Sequence, residues 1–451
     1  MTTRIQDATV TAAPTDIGRR RFMLRASALP LGAAALGAAT PRTARAGLKT
    51  SAHIVIAGSG LGGVAIANRL SRELDGAKIT LVDRKEIHNY QPGYTLVATG
   101  IWPVDKVSDR NADLLPGGVE WVKDMAAGFD PDANTLITEG GQRIRYDYLV
   151  VATGLHLDFA QIDGMDISAI GANGLTSVYP GPRAAQATWL AMDAFRRQGG
   201  EALMTLPATP LKCAGAPLKM TFMLVDRLRE AGKQAASKVS FHSALDNIFS
   251  VKPVNDDVLR RWADLDVPVI FNSKLVAIDI GARRATFVTP EGERNELGYD
   301  FIHVVPPMRA PDAVKNSPLA WQDGPFAAGG WLEVDKDTLR HRRYPNVFGL
   351  GDINGTPRGK TAATIKKSAP LVARNLIDVI AGGEPSQRFD GYTSCPLLLR
   401  EGSALLVEFD YEGRLVPSIP MIEPLQDSYF AWLMKYRLLK PAYMAVAKGR
   451  V

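Results

Sequence analysis

His53-Ile54-Val55-Ile56-Ala57-Gly58-Ser59-Gly60-Leu61-Gly62-Gly63 is the stretch whose reading decides the fold class. Five residues, mostly apolar and partly β-branched, read as a buried parallel strand, and a glycine turn follows at once. Gly58 permits a tight turn, Gly60 lets backbone approach a pyrophosphate, and Gly63 lets a helix from Val64 to Leu74 pack on the strand. A second strand, Lys78 to Val82, ends at Asp83, twenty residues past Gly63, where a carboxylate suits ribose hydroxyls. Strand, turn, helix, strand and acid occur in order, so Gly58, Ser59, Gly60, Gly63 and Asp83 are candidate dinucleotide-binding residues.

Working outward, Tyr148-Leu149-Val150-Val151-Ala152-Thr153-Gly154 resembles the strand and ATG turn at which flavoproteins with two dinucleotide-binding domains return to their FAD domain. Asn346-Val347-Phe348-Gly349-Leu350-Gly351-Asp352 resembles their last FAD motif, whose aspartate binds the ribityl chain. A second glycine turn for a nicotinamide is expected between these segments, and residues 155–345 contain none. Where it would fall, after Ala202-Leu203-Met204-Thr205-Leu206, the chain reads Pro207-Ala208-Thr209-Pro210-Leu211-Lys212-Cys213. A sulfur atom stands in place of the nicotinamide turn, which points away from NAD(P)H as electron donor.

The chain has 451 residues, 46% hydrophobic and 22% charged, and length alone suggests two or three domains. Its net charge of +6 is mostly local, because residues 1–46 hold seven Arg against two Asp. A nucleic-acid partner is therefore not indicated. That leader carries Arg19-Arg20-Arg21-Phe22, an apolar run from Ala26 to Ala39, and Ala44-Arg45-Ala46, the pattern of a twin-arginine export signal; a mitochondrial transit peptide is the alternative. Two cysteines, Cys213 and Cys395, cannot form a disulfide framework, and six scattered histidines offer no metal-ligand spacing. Lys212 beside Cys213 can favour its thiolate or face solvent. Residues 428–451 carry five basic residues and no acid, interleaved with Tyr429, Phe430, Trp432, Tyr436 and Tyr443. Two short helices split at Pro441 and lying in a membrane headgroup plane fit this pattern, as does a helix packed on the protein.

Thr209–Lys219 (TPLKCAGAPLK), 303–308 (HVVPPM), 339–352 (LRHRRYPNVFGLGD) and 389–397 (FDGYTSCPL) resemble sulfide:quinone oxidoreductases, particularly the branch that includes the mitochondrial enzymes. His88-Asn89-Tyr90-Gln91-Pro92, Gly117-Gly118-Val119-Glu120-Trp121 and Leu405-Leu406-Val407-Glu408-Phe409-Asp410-Tyr411 match the same branch, so the similarity runs from about residue 52 to about 440. The resemblance implies an α/β protein with two Rossmann-like, doubly wound dinucleotide-binding domains, the FAD domain split in sequence, and a C-terminal membrane-facing region. Expected boundaries are a signal peptide at 1–46, FAD domain at 47–160 and 296–385, a degenerate nicotinamide-like domain carrying Cys213 at 161–295, and a region with Cys395 and membrane-interface helices at 386–451. It further implies catalysis at Cys213 and Cys395: hydrosulfide opens their disulfide, leaving a persulfide on Cys395 and a thiolate on Cys213. FAD and a membrane quinone then take the electrons, and a small acceptor takes the sulfur. Gln91, Ala126, Thr153, Gly154, Asp352 and the turn Lys360-Thr361-Ala362-Ala363 are implied FAD contacts. Asp83 departs from the family's more usual glutamate. The flavocytochrome c type has a tethering cysteine in the region of Tyr90 to Leu96; this chain has none there, so FAD is expected to be non-covalent. That type, using cytochrome c, and a non-catalytic persulfide carrier are the rival readings. Whether the chain forms a homo-oligomer is left open.

Overall fold

A computed structural model describes residues 47–451; the twin-arginine reading of residues 1–46 lies outside the described residues. Two five-stranded parallel sheets organise the rest. In the first, the order is Val347–Gly349, Tyr148–Val151, His53–Ala57, Lys78–Val82, Glu120–Val122. Ile54, Val55, Ile56 and Ala57 are wholly buried, as continuous apolar strands between covering layers must be. The first helix, Leu61–Glu73, starts directly on the glycine turn, three residues before the expected Val64.

The second sheet has the order Leu175–Thr176, Phe301–His303, Gly200–Leu206, Ser237–Ser243, Val269–Ile270. Helices Pro182–Gln198 and Gly215–Glu230 follow its strands. Each sheet has an antiparallel three-stranded companion: Ala126–Asp130, Thr135–Thr138, Arg143–Arg145 for the first, and Lys274–Asp279, Arg284–Val288, Arg294–Gly298 for the second. The expected start of the second part of the FAD domain at 296 falls early, since the chain next packs in the first sheet's core at Ala310, Val314 and Leu319. Phe301–His303 sits inside the second sheet, and the chain rejoins the first only at Val347–Gly349. Phe301-Ile302-His303-Val304-Val305 is a buried run that suits either sheet, and no glycine turn follows it to say which.

After helix Ala362–Ile380 a hairpin, Thr393–Arg400 with Ser403–Phe409, packs against helix Gly215–Glu230. Residues 429–447 then run almost continuously through Tyr429–Leu433, a wider π-type turn at Met434–Leu438, and Leu439–Ala447. Pro441 does not split them, because it falls in the first turn of the last helix, where its missing N–H breaks no bond. One face of this segment is packed on the protein: Trp432, Lys435, Tyr443 and Val446 are buried. Asn68 Nδ2 donates to the Ala447 carbonyl (3.1 Å) and Arg72 Nη1 to that of Lys448 (3.0 Å). The other face exposes Tyr429, Phe430 and Leu438. Among the described residues, no helix is long and apolar enough to cross a membrane.

Candidate active site

The glycine turn has the shape the sequence called for. Gly58 adopts φ +110°, and a Cβ there would lie 2.3 Å from the Ala152 carbonyl oxygen. At Gly63 a Cβ would sit 1.8 Å from the Gly58 oxygen, so the helix can pack this closely only on glycine. At Gly60, by contrast, a Cβ would meet nothing within 4 Å. That open space lies at the N-terminus of Leu61–Glu73, whose first turn has no side-chain cap and holds its N–H groups ready for an anion. Asp83 is buried, accepting from the Ser59 N–H (2.7 Å) and the Lys85 N–H (2.9 Å). It holds the turn in shape while retaining lone pairs for a further donor.

Thr153, Gly154 and Asp352 follow strands that neighbour His53–Ala57 in the first sheet, and Lys360 is bonded to Asp352; no hydrogen bond among the described residues ties Gln91 or Ala126 to them. Thr153 Oγ1 is buried with no partner among the described residues, the state of a hydroxyl waiting for a ligand. Gly154 follows it in the ATG turn. Asp352 is half-buried just past Val347–Gly349, its carboxyl pushed up by burial against the opposing charges of Lys360 and Lys212. Lys360 is buried, donates to the carbonyls of Asp352 (2.7 Å) and Asn354 (2.8 Å), and lies 3.6 Å over the Trp331 ring. Burial pushes its ammonium down to about 7. Thr361 caps helix Ala362–Ile380 through the Thr364 N–H, and its hydroxyl meets that of Thr393 at 2.7 Å. Ala362 and Ala363 open that helix. Gln91 is exposed at the start of the Gln91–Gly93 turn, and Ala126 begins its strand, partly buried. Glycine cradle, free helix start and unpartnered hydroxyl together fit an FAD.

Cys213 and Cys395, 182 residues apart in sequence, lie within hydrogen-bonding reach of each other. Cys213 ends the loop after strand Gly200–Leu206 and adopts φ +52°, a left-handed conformation that costs a non-glycine residue about 1–2 kcal/mol. Its N–H donates to the Lys360 carbonyl (2.9 Å), which ties the sulfur loop to the dinucleotide edge. Cys395 is buried on Thr393–Arg400, where its sulfur fills the space a side chain at position 215 would occupy. A Cβ on Gly215 would be 2.2 Å from Cys395 Sγ.

The thiols are electrostatically unlike. The Cys395 hydrogen bond, and after it the Lys219 and Lys435 ammonium groups, hold Cys213 well below the usual thiol range against burial. Cys395 is pushed well above it by its bond to Cys213 and by burial. Lys219 Nζ lies 3.4 Å from Cys213 Sγ and is buried one turn into helix Gly215–Glu230. Opposed by its own burial, the charge of both cysteines still raises its ammonium above the ordinary value. This is the cation the sequence reading sought in Lys212. Lys212 is half-buried, its ammonium lowered by burial, with the charge of Asp352 opposing that shift. The usable signal was present: Lys219 is a lone charge in Ala216-Pro217-Leu218-Lys219-Met220-Thr221-Phe222, a run with no polar face to expose it. Lys435, from the C-terminal segment, donates to the Pro92 carbonyl, and burial followed by Lys219 pushes it down to about 7.

Around Lys435 the aromatics stack inward: Tyr429 on Trp432 (5.6 Å between centroids), Trp432 on Tyr436 (4.9 Å), and Tyr436 against Trp102 (6.3 Å). Tyr90 packs against Trp102 at 6.1 Å.

Residues 52–182 match the family model described as pyridine nucleotide-disulphide oxidoreductase. The chain is 34% identical over 401 residues to the mitochondrial sulfide:quinone oxidoreductase of Mus musculus, covering 88% of this chain and 86% of that one. With the Dictyostelium discoideum mitochondrial sulfide:quinone oxidoreductase it shares 37% over 405 residues, covering 89% and 87%. Its fold resembles the crystal structure of the sulfide:quinone oxidoreductase from the hyperthermophilic bacterium Aquifex aeolicus, with a TM-score of 0.72 at 21% identity, over 88% of this chain and 92% of that one.

Proposed function

The chain belongs to the sulfide:quinone oxidoreductase family and is an FAD-dependent oxidoreductase, and from that premise we propose that it oxidises sulfide at the Cys213–Cys395 pair and delivers the electrons to a membrane quinone. The observation that carries this reading is the sulfur pair itself: two thiols brought within reach from distant sequence, polarised in opposite directions, with Lys219 3.4 Å from Cys213.

In the oxidised enzyme the two sulfurs form a disulfide. Hydrosulfide attacks Cys395 Sγ, forming a new S–S bond, and the Cys213–Cys395 bond breaks with its electron pair left on Cys213. Lys219 stabilises that thiolate, which makes Cys213 the better leaving group. A small nucleophilic acceptor then removes the outer sulfur and leaves Cys395 as a thiolate. Loss of two electrons from the two thiolates restores the disulfide. FAD, when bound, would supply the acceptor for those two electrons and their route to quinone. In this reading the Gly58–Gly63 turn holds the pyrophosphate, Asp83 a ribose, Asp352 the ribityl chain, and Thr153, Gly154, Gln91, Ala126 and Lys360–Ala363 the remainder. The C-terminal segment supports the quinone half: Tyr429, Phe430 and Leu438 point outward while the aromatic stack leads in, which suits peripheral attachment to a bilayer.

The decisive experiment is anaerobic. Sulfide added to the purified protein should bleach the flavin, and decylubiquinone should restore it faster than oxidised cytochrome c does; bleaching without catalytic quinone reduction would leave a persulfide carrier. For location we propose twin-arginine export to the periplasmic face; the mitochondrial names of the relatives speak for the transit-peptide alternative. Arg19→Lys with Arg20→Lys should abolish export if the first is right.

A further inference from the structure

The second sheet sends another strand-to-helix loop to the edge where Cys213 lies. Strand Leu175–Thr176 runs through Ser177-Val178-Tyr179-Pro180-Gly181 into helix Pro182–Gln198, while strand Gly200–Leu206 runs through the Cys213 loop into Gly215–Glu230. All the strands are parallel and only Phe301–His303 separates these two, so both loops leave from the same, C-terminal edge. Ligands of open parallel sheets sit there. Tyr179 is 4% exposed, and its hydroxyl is buried with no hydrogen-bond partner among the described residues. Buried phenols normally find a partner. This one cannot swing out to seek water. Pro180 and Pro182 stiffen the loop, and Thr188 Oγ1 clasps Ser177, accepting from its N–H (3.2 Å) and donating to its carbonyl (3.1 Å). Tyr179 belongs to the apolar cluster on which Cys213 and Ala214 pack and which holds Leu397, two residues past Cys395, so the phenol lies in the surroundings of the sulfur pair. Burial holds it protonated well above the ordinary range, with both cysteine charges adding to that effect. It can therefore serve a sulfur anion only as a donor.

We propose that Tyr179 is a substrate-binding residue whose O–H donates to the incoming hydrosulfide and then to the outer sulfur of the Cys395 persulfide. The inference rests on the assignment of Cys213 and Cys395 as the sulfide site. The phenol keeps its proton throughout, so it enters neither the electron nor the proton balance of the exchange.

Tyr179→Phe in the full-length, FAD-loaded protein tests it, since the ring is kept and only the hydroxyl removed. The expected result is unchanged flavin content, a melting temperature at or above wild type, and a KM for sulfide raised about tenfold or more with kcat little changed, the effect of deleting one donor to an anion. A wild-type KM overturns the proposal. So does a variant that melts markedly lower or fails to fold, because a hydroxyl without a partner inside the protein has no internal bond to lose. If the wild-type enzyme itself shows no sulfide-driven quinone reduction, the sulfide-site reading fails; if it turns over and the variant matches it, only the role of Tyr179 does.

Discussion

The turn after His53–Ala57 and the turn after Gly200–Leu206 occupy equivalent places in the two sheets: an apolar parallel strand leads in and a helix leads out. One is Gly58-Ser59-Gly60-Leu61-Gly62-Gly63, with open space at Gly60 and bare N–H groups at the helix start. The other ends in Cys213, held at φ +52° with Lys219 against its sulfur. In the proposed reading the same frame would hold an anion by backbone in the first sheet and a sulfur anion by a side-chain cation in the second. On that reading a strand-turn-helix unit is a mount for negative charge, and its residues would decide whether that charge is a ligand's phosphate or the protein's own thiolate.

The comparison is broken most severely at the second mount. Cys213→Ser or Cys395→Ser should each cut sulfide-driven quinone reduction by on the order of 10³-fold or more while flavin content stays at wild-type level, since the dinucleotide turn is untouched. Near wild-type turnover in either variant removes the disulfide mechanism. Breaking the first mount gives the opposite signature: Gly63→Ala, driving a Cβ to 1.8 Å from the Gly58 oxygen, should lose most bound FAD and about 1–3 kcal/mol of stability, read by flavin absorbance and thermal melting.

Lys219→Met sharpens the contrast, because it removes the cation and leaves the sulfur. Turnover at neutral pH should fall about 10- to 100-fold, the range of a lost charge-assisted hydrogen bond. Cys213 is held below the ordinary thiol range in part by Lys219, so alkylation of the reduced enzyme should persist to unusually low pH in wild type and shift to higher pH in the variant. An unshifted alkylation profile would mean that Cys395 and Lys435 set the Cys213 thiolate without Lys219. The smallest effect is expected at Lys435, whose ammonium is pushed down to about 7. Below pH 7 it is charged and supports the thiolate; as pH rises through 7 it loses its proton and that support fades. Lys435→Met should cost about threefold near pH 6.5 and progressively less toward pH 8, a flattening visible in a kcat/KM profile.

The first mount was legible in sequence because everything it needs is local: glycines at fixed steps, a β-branched strand before them and an acid twenty residues on. What escaped was set by tertiary placement. Lys212 is adjacent to Cys213 in the chain, but residue 213 bends left-handed and the helix begins at Gly215, so Lys219, one turn on, comes round to the sulfur. Tyr179 carries no motif, and only the parallel order of the second sheet brings its loop to the edge that carries Cys213. The chain's late return to the first sheet was hidden because an apolar run such as Phe301–Val305 satisfies either sheet equally.

Residues 443–448 finish the first core and clasp the helix behind the glycine turn: Val446 packs among the strands' apolar side chains, Tyr443 meets His88 Nε2 at 2.8 Å, and His88 Nδ1 meets Asn111 Oδ1 at 2.9 Å. Asn111 donates in turn to Ser59 Oγ at 2.8 Å. The nucleotide cradle therefore lacks its backing until translation has passed residue 448. A chain clipped before Tyr443 is expected to retain less flavin than the full chain, whatever the state of its cysteines.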